Sequence, residues 1–179
     1  NIYVRKERLT DYQSNPFYQK FKSTHTSFIE NNLEYLPVSE NSVDLLDVKN
    51  TDYTFVVPET VEHNGKTYNV NMIGDYAFQS TSANVHGVVV KKNVEYIGAK
   101  AFKTNITADT STIKNVFFLS SNPTKQMLST TRFELDETGK DYNEFASSTK
   151  VYVKKSQLSN YKTEWDKKVY STTEHKYVE

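Results

Sequence analysis

Apolar residues recur through the middle of the chain with a repeated spacing. Val85, Val88 and Val90 followed by Asn93 read V-x-x-V-x-V-x-x-N. Residues two apart share one face of a strand, and the Asn marks where that strand turns a corner. Four residues beyond stands Ile97-Gly98-Ala99-Lys100-Ala101-Phe102. The same phrase occurs 24 residues earlier as Ile73-Gly74-Asp75-Tyr76-Ala77-Phe78, with Val70 in the place of Val94. Another strand copy follows at Ile113, Val116 and Phe118, with Ser121 in the Asn position. A single unit of this kind closes no core, so successive units must stack to bury their Val, Ile and Phe side chains.

The V-x-x-V-x-V-x-x-N spacing and the 24-residue period are those of leucine-rich repeats, whose units run to roughly 20–29 residues. The pattern resembles the BspA-like leucine-rich repeats, in which each coil carries an I-G-x-x-A-F phrase and a V-x-I-P strand. Here the first such strand is Phe55-Val56-Val57-Pro58, separated from Ile73 by an insert containing Asn64-Gly65. The resemblance covers residues 53–122. It departs from the family after A-F, where a Cys is often found and this chain has Gln79-Ser80-Thr81 and Lys103-Thr104-Asn105, and the stretch between Phe102 and Ile113 is expanded. The expected fold is α+β and β-rich: a short leucine-rich-repeat solenoid with irregular coils, an N-terminal β-hairpin cap and a C-terminal strand-helix cap.

A second repeat has a longer period. Residues 2–12, IYVRKERLTDY, return as residues 151–161, VYVKKSQLSNY, at an offset of 149. Each copy reads as a strand followed by a short amphipathic helix; in the later one Leu158, Tyr161 and Trp165 share a helical face and Ser156 is placed as an N-cap. The physical task of such a unit is to cover the exposed core of a last coil. Residues 1–22 are accordingly expected to close a preceding array, as part of a longer protein, with Asn15-Pro16 ending or bending the early helix. Residues 23–52 read as a linker and an N-terminal β cap. The linker spans 22–32, anchored by Phe28 and Ile29, and strands are expected at 33–38, 43–48 and 53–57. Asn64-Gly65 signals a two-residue hairpin turn. Repeat coils occupy 53–150, with a long loop at 121–148 packing back through Met127, Leu128, Phe133, Leu135, Tyr142 and Phe145. The cap at 151–179 contains a strand at 150–155 and a helix at 156–168.

Composition narrows the function classes. Of 179 residues, 22 are Lys or Arg and 22 are Asp or Glu, so the zero net charge gives no electrostatic case for nucleic acid or an anionic membrane. No apolar run approaches the roughly 18 residues that span a bilayer. Cysteine is absent, which removes disulfides and thiolate chemistry. The 13 Tyr and 10 Phe suit strands, where aromatic residues are enriched. His25, His63, His86 and His175 are isolated, without the spacing of a zinc site. Asp136, Glu137 and Asp141 around Gly139 do not meet the alternating-ligand pattern of a calcium loop. No nucleophile-elbow, phosphate-binding or dinucleotide-binding motif occurs. The expectation is a non-enzymatic protein without cofactor or metal.

The informative surface is the outward face of the repeat strands. Stacking would align Val56, Val89, Phe117 and Tyr152 into one ladder at roughly 4.8 Å per strand. Lys91, Lys92, Lys154 and Lys155 follow two of the strands, with His86 and Lys114 ahead of two, giving the apolar stripe a basic margin. Extended repeat faces commonly bind partners, and outward β-branched and aromatic residues also stabilise a sheet by cross-strand pairing. The leading expectation is a monomeric module of a longer chain that binds a protein or glycan partner, host-derived molecules included. The alternative is a structural spacer within a larger surface protein. The family resemblance implies a secreted or cell-surface location, since its members are largely exported proteins of gut and oral bacteria.

Overall fold

The computed structural model describes residues 2–4, 10, 24–49, 53–79, 85–105, 111–126, 145–146, 148–165 and 177–178. Strand β1 (Ile2–Val4) pairs in parallel with β2 (Thr24–Thr26). Strands β3 (Phe28–Glu30) and β4 (Leu33–Pro37) form a hairpin, and β5 (Ser42–Val48) returns antiparallel to β4. The β3–β4 turn places Asn31 and Asn32 at φ of 51° and 61°. Two consecutive left-handed residues match the twist of a hairpin, and Asn tolerates that conformation better than other side chains. The polar stretch at 22–32 is thus not a plain linker: it holds β2 and β3, and Phe28 is buried.

Strand β6 (Thr54–Val57) is followed by the hairpin of β7 (Thr60–His63) and β8 (Lys66–Ile73). Asn64 and Gly65 form its two-residue turn at φ of 52° and 74°, as their sequence signals. Then come β9 (Gly87–Val90), β10 (Tyr96–Ile97), β11 (Asn115–Phe118) and β12 (Lys125–Gln126), the last lying inside the stretch read as a loop. The chain ends with β13 (Lys150–Val153), a 3-10 turn at Lys155–Gln157, helix α1 (Leu158–Trp165) and β14 (Tyr177–Val178). Ser156 does not cap the helix; it lies inside the 3-10 turn, whose N-cap is Lys154 without a side-chain bond. Apart from Thr10, the early helix, and with it the loop residues 127–144 and helix positions 166–168, lie outside the described residues.

Two sheets result. One is parallel throughout, in the order β14-β13-β11-β9-β6; the other runs β12-β10-β8-β5-β4-β3, with β7 beside β8. β9 and β11 each add a strand to the first sheet and are followed by a shorter one, β10 and β12, in the second. The anchor residues Val85, Val88, Val90, Ile113, Val116, Val70, Val94, Ile73 and Ile97 are buried at 0–1 % exposure in one cluster. Each such aliphatic side chain contributes roughly 1.5–3 kcal/mol when taken out of water.

The I-G-x-x-A-F phrase is where successive repeats touch most closely. Gly74 N donates to Leu45 O at 2.7 Å, and Gly98 N donates to Ile73 O at 2.7 Å, one repeat further on. A Cβ on Gly98 would stand 2.5 Å from Asp75 N and 2.6 Å from Gly74 C, so glycine is required by close backbone approach. Two residues on, Tyr76 and Lys100 both adopt positive φ, 57° and 51°. The phrase ends in a stack of rings: Phe78 on Phe102 at 5.3 Å and Phe102 on Phe145 at 5.0 Å. Phe145 therefore does pack back on the repeats, and Tyr161 of α1, fully buried, closes on Phe118 at 6.0 Å.

Candidate functional site

The parallel sheet presents alternate residues on two faces. Phe55, Val57, Val88, Val90, Val116, Phe118, Val151 and Val153 point into the core. Register pairs Val56 with Val89, Val89 with Phe117, and Phe117 with Tyr152, so the anticipated stripe is one continuous ladder. Val56, on the edge strand, is 44 % exposed; Val89, Phe117 and Tyr152 are half-buried. One rank earlier on the same face lie Thr54, Gly87, Asn115 and Lys150.

Within the stripe the rings of Phe117 and Tyr152 stack at 4.5 Å, tilted by 16°. The Tyr152 hydroxyl donates to Asn115 Oδ1 at 3.0 Å. Each ring covers one face of its neighbour. A second stack lies at the start of the strands, where His86 packs against Tyr53 at 4.5 Å. Tyr53 is 68 % exposed beside the sheet edge.

The basic margin is only partly assembled. Lys91 is half-buried at the end of β9, while Lys114, Lys154 and Lys155 are exposed at strand ends. Lys114 Nζ donates to Ser111 O at 2.9 Å. Lys92 turns away from the stripe, with Nζ 3.8 Å from Glu59 Oε1. It lies instead on a separate cleft of about 730 Å³ that the strand-face argument did not find. Lys150, on the outward face itself, was likewise missed, although its place follows from Tyr152 two residues on.

That cleft lies where the chain turns between the two sheets. Its repeat-built side stacks Ser42, Asn69 and Asn93: Ser42 pairs with Asn69 in register, and Asn93 Nδ2 donates to Asn69 Oδ1 at 3.1 Å. Asn93 Nδ2 also approaches Glu59 O at 3.3 Å, which fixes the corner after β9. The signal was in the sequence: Asn69-x-Asn71 and Asn93-x-Glu95 stand 24 residues apart, the period of the repeat. Among the described residues no group of three or more His, Asp or Glu side chains is placed to hold a metal ion. No helix of the described residues is long and apolar enough to cross a membrane.

Stacked units of strand, corner and I-G-x-x-A-F turn, joined by parallel ladders one repeat apart, define a leucine-rich repeat protein. The profile of the BspA type leucine-rich repeat region matches residues 49–109 and 71–178, in 6 copies, and the chain belongs to that family. No curated protein matches it. Among solved structures it is similar to a leucine-rich cell surface protein from Faecalibacterium prausnitzii A2-165. Identity is 17 %, the TM-score is 0.51, and the match covers 70 % of this chain and 29 % of that one. This chain thus corresponds to less than a third of that protein's length. A leucine-rich repeat protein from Bacteroides capillosus ATCC 29799 matches at 17 % identity and a TM-score of 0.45, over 72 % of this chain and 98 % of that one.

Proposed function

We propose that this chain is a non-catalytic, secreted or cell-surface repeat module that binds a protein partner across the outward face of its parallel sheet. The observation that carries the reading is the in-register stripe Val56, Val89, Phe117 and Tyr152, open at the Val56 edge. An apolar surface rimmed by polar groups is an interaction signature, and aromatic residues supply most interface energy. A protein suits the stripe better than a glycan, because Phe117 and Tyr152 each lose one ring face to the other. In this reading the repeats form a short solenoid. The β3–β5 hairpins cap its start, β13 with α1 caps its end, and the unit containing β1 closes a preceding array.

The same stack favours a second reading, a structural spacer of a larger surface protein. Cross-strand aromatic pairs contribute to sheet stability of themselves. The test is a binding screen against purified extracellular proteins with the chain and its Val56→Asp variant. Val56 is the stripe residue least committed to the core, so the variant is expected to fold and to lose binding at least tenfold, about 1.4 kcal/mol. Absence of any partner, or equal binding by the variant, would favour the spacer.

A further inference from the structure

The polar cleft at the corner between the sheets has no role in the sheet-face reading. Its volume, about 730 Å³, is within the range of ligand sites, roughly 300–1,000 Å³. Its chemistry is unlike that of an ordinary apolar pocket. Asn71 and Glu95 line it from adjacent repeats, held side by side by the bond from Glu95 N to Asn71 O at 2.8 Å. Asn122 and Pro123, in the turn after β11, and Glu164 of α1 complete it. The Asn122 turn is itself fixed: its N–H donates to Ser120 Oγ at 3.2 Å, and its carbonyl accepts from the Tyr161 hydroxyl at 3.3 Å. Those bonds engage backbone atoms. The side-chain amides of Asn71 and Asn122 and the Glu95 carboxylate have no hydrogen-bond partner among the described residues, so they are free to meet a ligand.

Three amide and carboxylate groups on a rigid backbone, each able to accept and the amides also able to donate, match a ligand rich in hydroxyls. Charge selects further. The cationic group of the cleft, Lys92, is already set against Glu59, and Glu95 adds negative charge. A phosphate or sulfate would meet net repulsion, and a lipid would find too little apolar lining. We propose that this cleft binds a neutral saccharide, with Asn71, Glu95 and Asn122 bonding its hydroxyls. The site is independent of the stripe and stands whether or not the stripe binds a protein.

The experiment uses the whole chain and a panel of uncharged saccharides: glucose, galactose, mannose, N-acetylglucosamine and their short oligomers. Binding is read by calorimetry and by shifts of the Asn side-chain amide signals in nuclear magnetic resonance spectra. At least one saccharide is expected to bind with a Kd of about 1 mM or tighter, moving the Asn71 and Asn122 amide signals. Asn71→Ala, Asn122→Ala and Glu95→Gln should each weaken it tenfold or more. Glu62→Gln, at an exposed position of β7, should leave it unchanged. Glu95 is exposed, so its variant tests the site without endangering the fold. The proposal is overturned if no uncharged saccharide binds, if shifts fall on the stripe alone, or if a folded Glu95→Gln variant binds as well as the parent.

Discussion

Gly98 and Gly87 separate two uses of glycine in the same fold. At Gly98 an added Cβ meets the backbone of the previous repeat at 2.5–2.6 Å, and backbone cannot move aside without shifting the coil. At Gly87 the nearest atoms belong to the Thr54 side chain, at 3.6 and 3.7 Å, which is ordinary contact. Gly98→Ala is therefore expected to cost about 1–3 kcal/mol by overpacking, and Gly87→Ala to stay within about 0.5 kcal/mol of the parent. Urea unfolding of the two variants checks the contrast. Two tyrosines make a separate prediction. Burial, followed by nearby Glu30, pushes the Tyr35 hydroxyl well above its ordinary pKa. Burial also raises Tyr161, against the opposing effect of hydrogen bonding with Thr124. A folded-state pKa above the unfolded one gives stability that is complete below the unfolded value, about 10, and is lost as pH rises beyond it. Melting temperature should thus fall above about pH 10, and Tyr35→Phe should flatten that fall.

At the scale of the element, the Phe ladder is what joins repeat to repeat. Phe102 touches Phe78, Phe118 and Phe145, so it lies at the junction of three segments. Phe102→Ala should destabilise the chain by about 3–5 kcal/mol, measured by denaturant midpoint. The ladder was legible because A-F recurs with its Ile and Gly at a fixed period, and a period constrains neighbours as well as single elements. The Asn64-Gly65 hairpin was legible for a local reason, since few residue pairs adopt two left-handed conformations in succession. Strand β3 was not: in Phe28-Ile29-Glu30 only Phe28 is buried, Ile29 is 56 % exposed, and the turn that follows is Asn-Asn. Strand β12, two residues long, is held by its neighbour β10 and leaves no pattern of its own. Ser156 looked like a cap by residue type alone; the 3-10 turn begins one residue earlier.

For the whole molecule, the stripe was legible and the cleft only on its repeat-built side, and the difference is physical. A stripe follows from one strand register multiplied by the repeat. A cleft depends on how the corner after β9, the turn after β11 and α1 meet, and those lie far apart in sequence. The two surfaces also differ in chemistry, one apolar and aromatic, the other built of amides. The sharpest question is whether the stacked pair Phe117 and Tyr152 serves a partner or only the sheet. The measurement is a paired thermal melt and binding isotherm for the parent and the Phe117→Ala, Tyr152→Ala double variant, with the protein partner found by screening. A recognition face predicts a folded variant with a modestly lowered Tm and at least a tenfold loss of affinity, about 1.4 kcal/mol. A variant that folds and binds as the parent does would contradict it, and a collapse of the fold would assign the pair to the sheet.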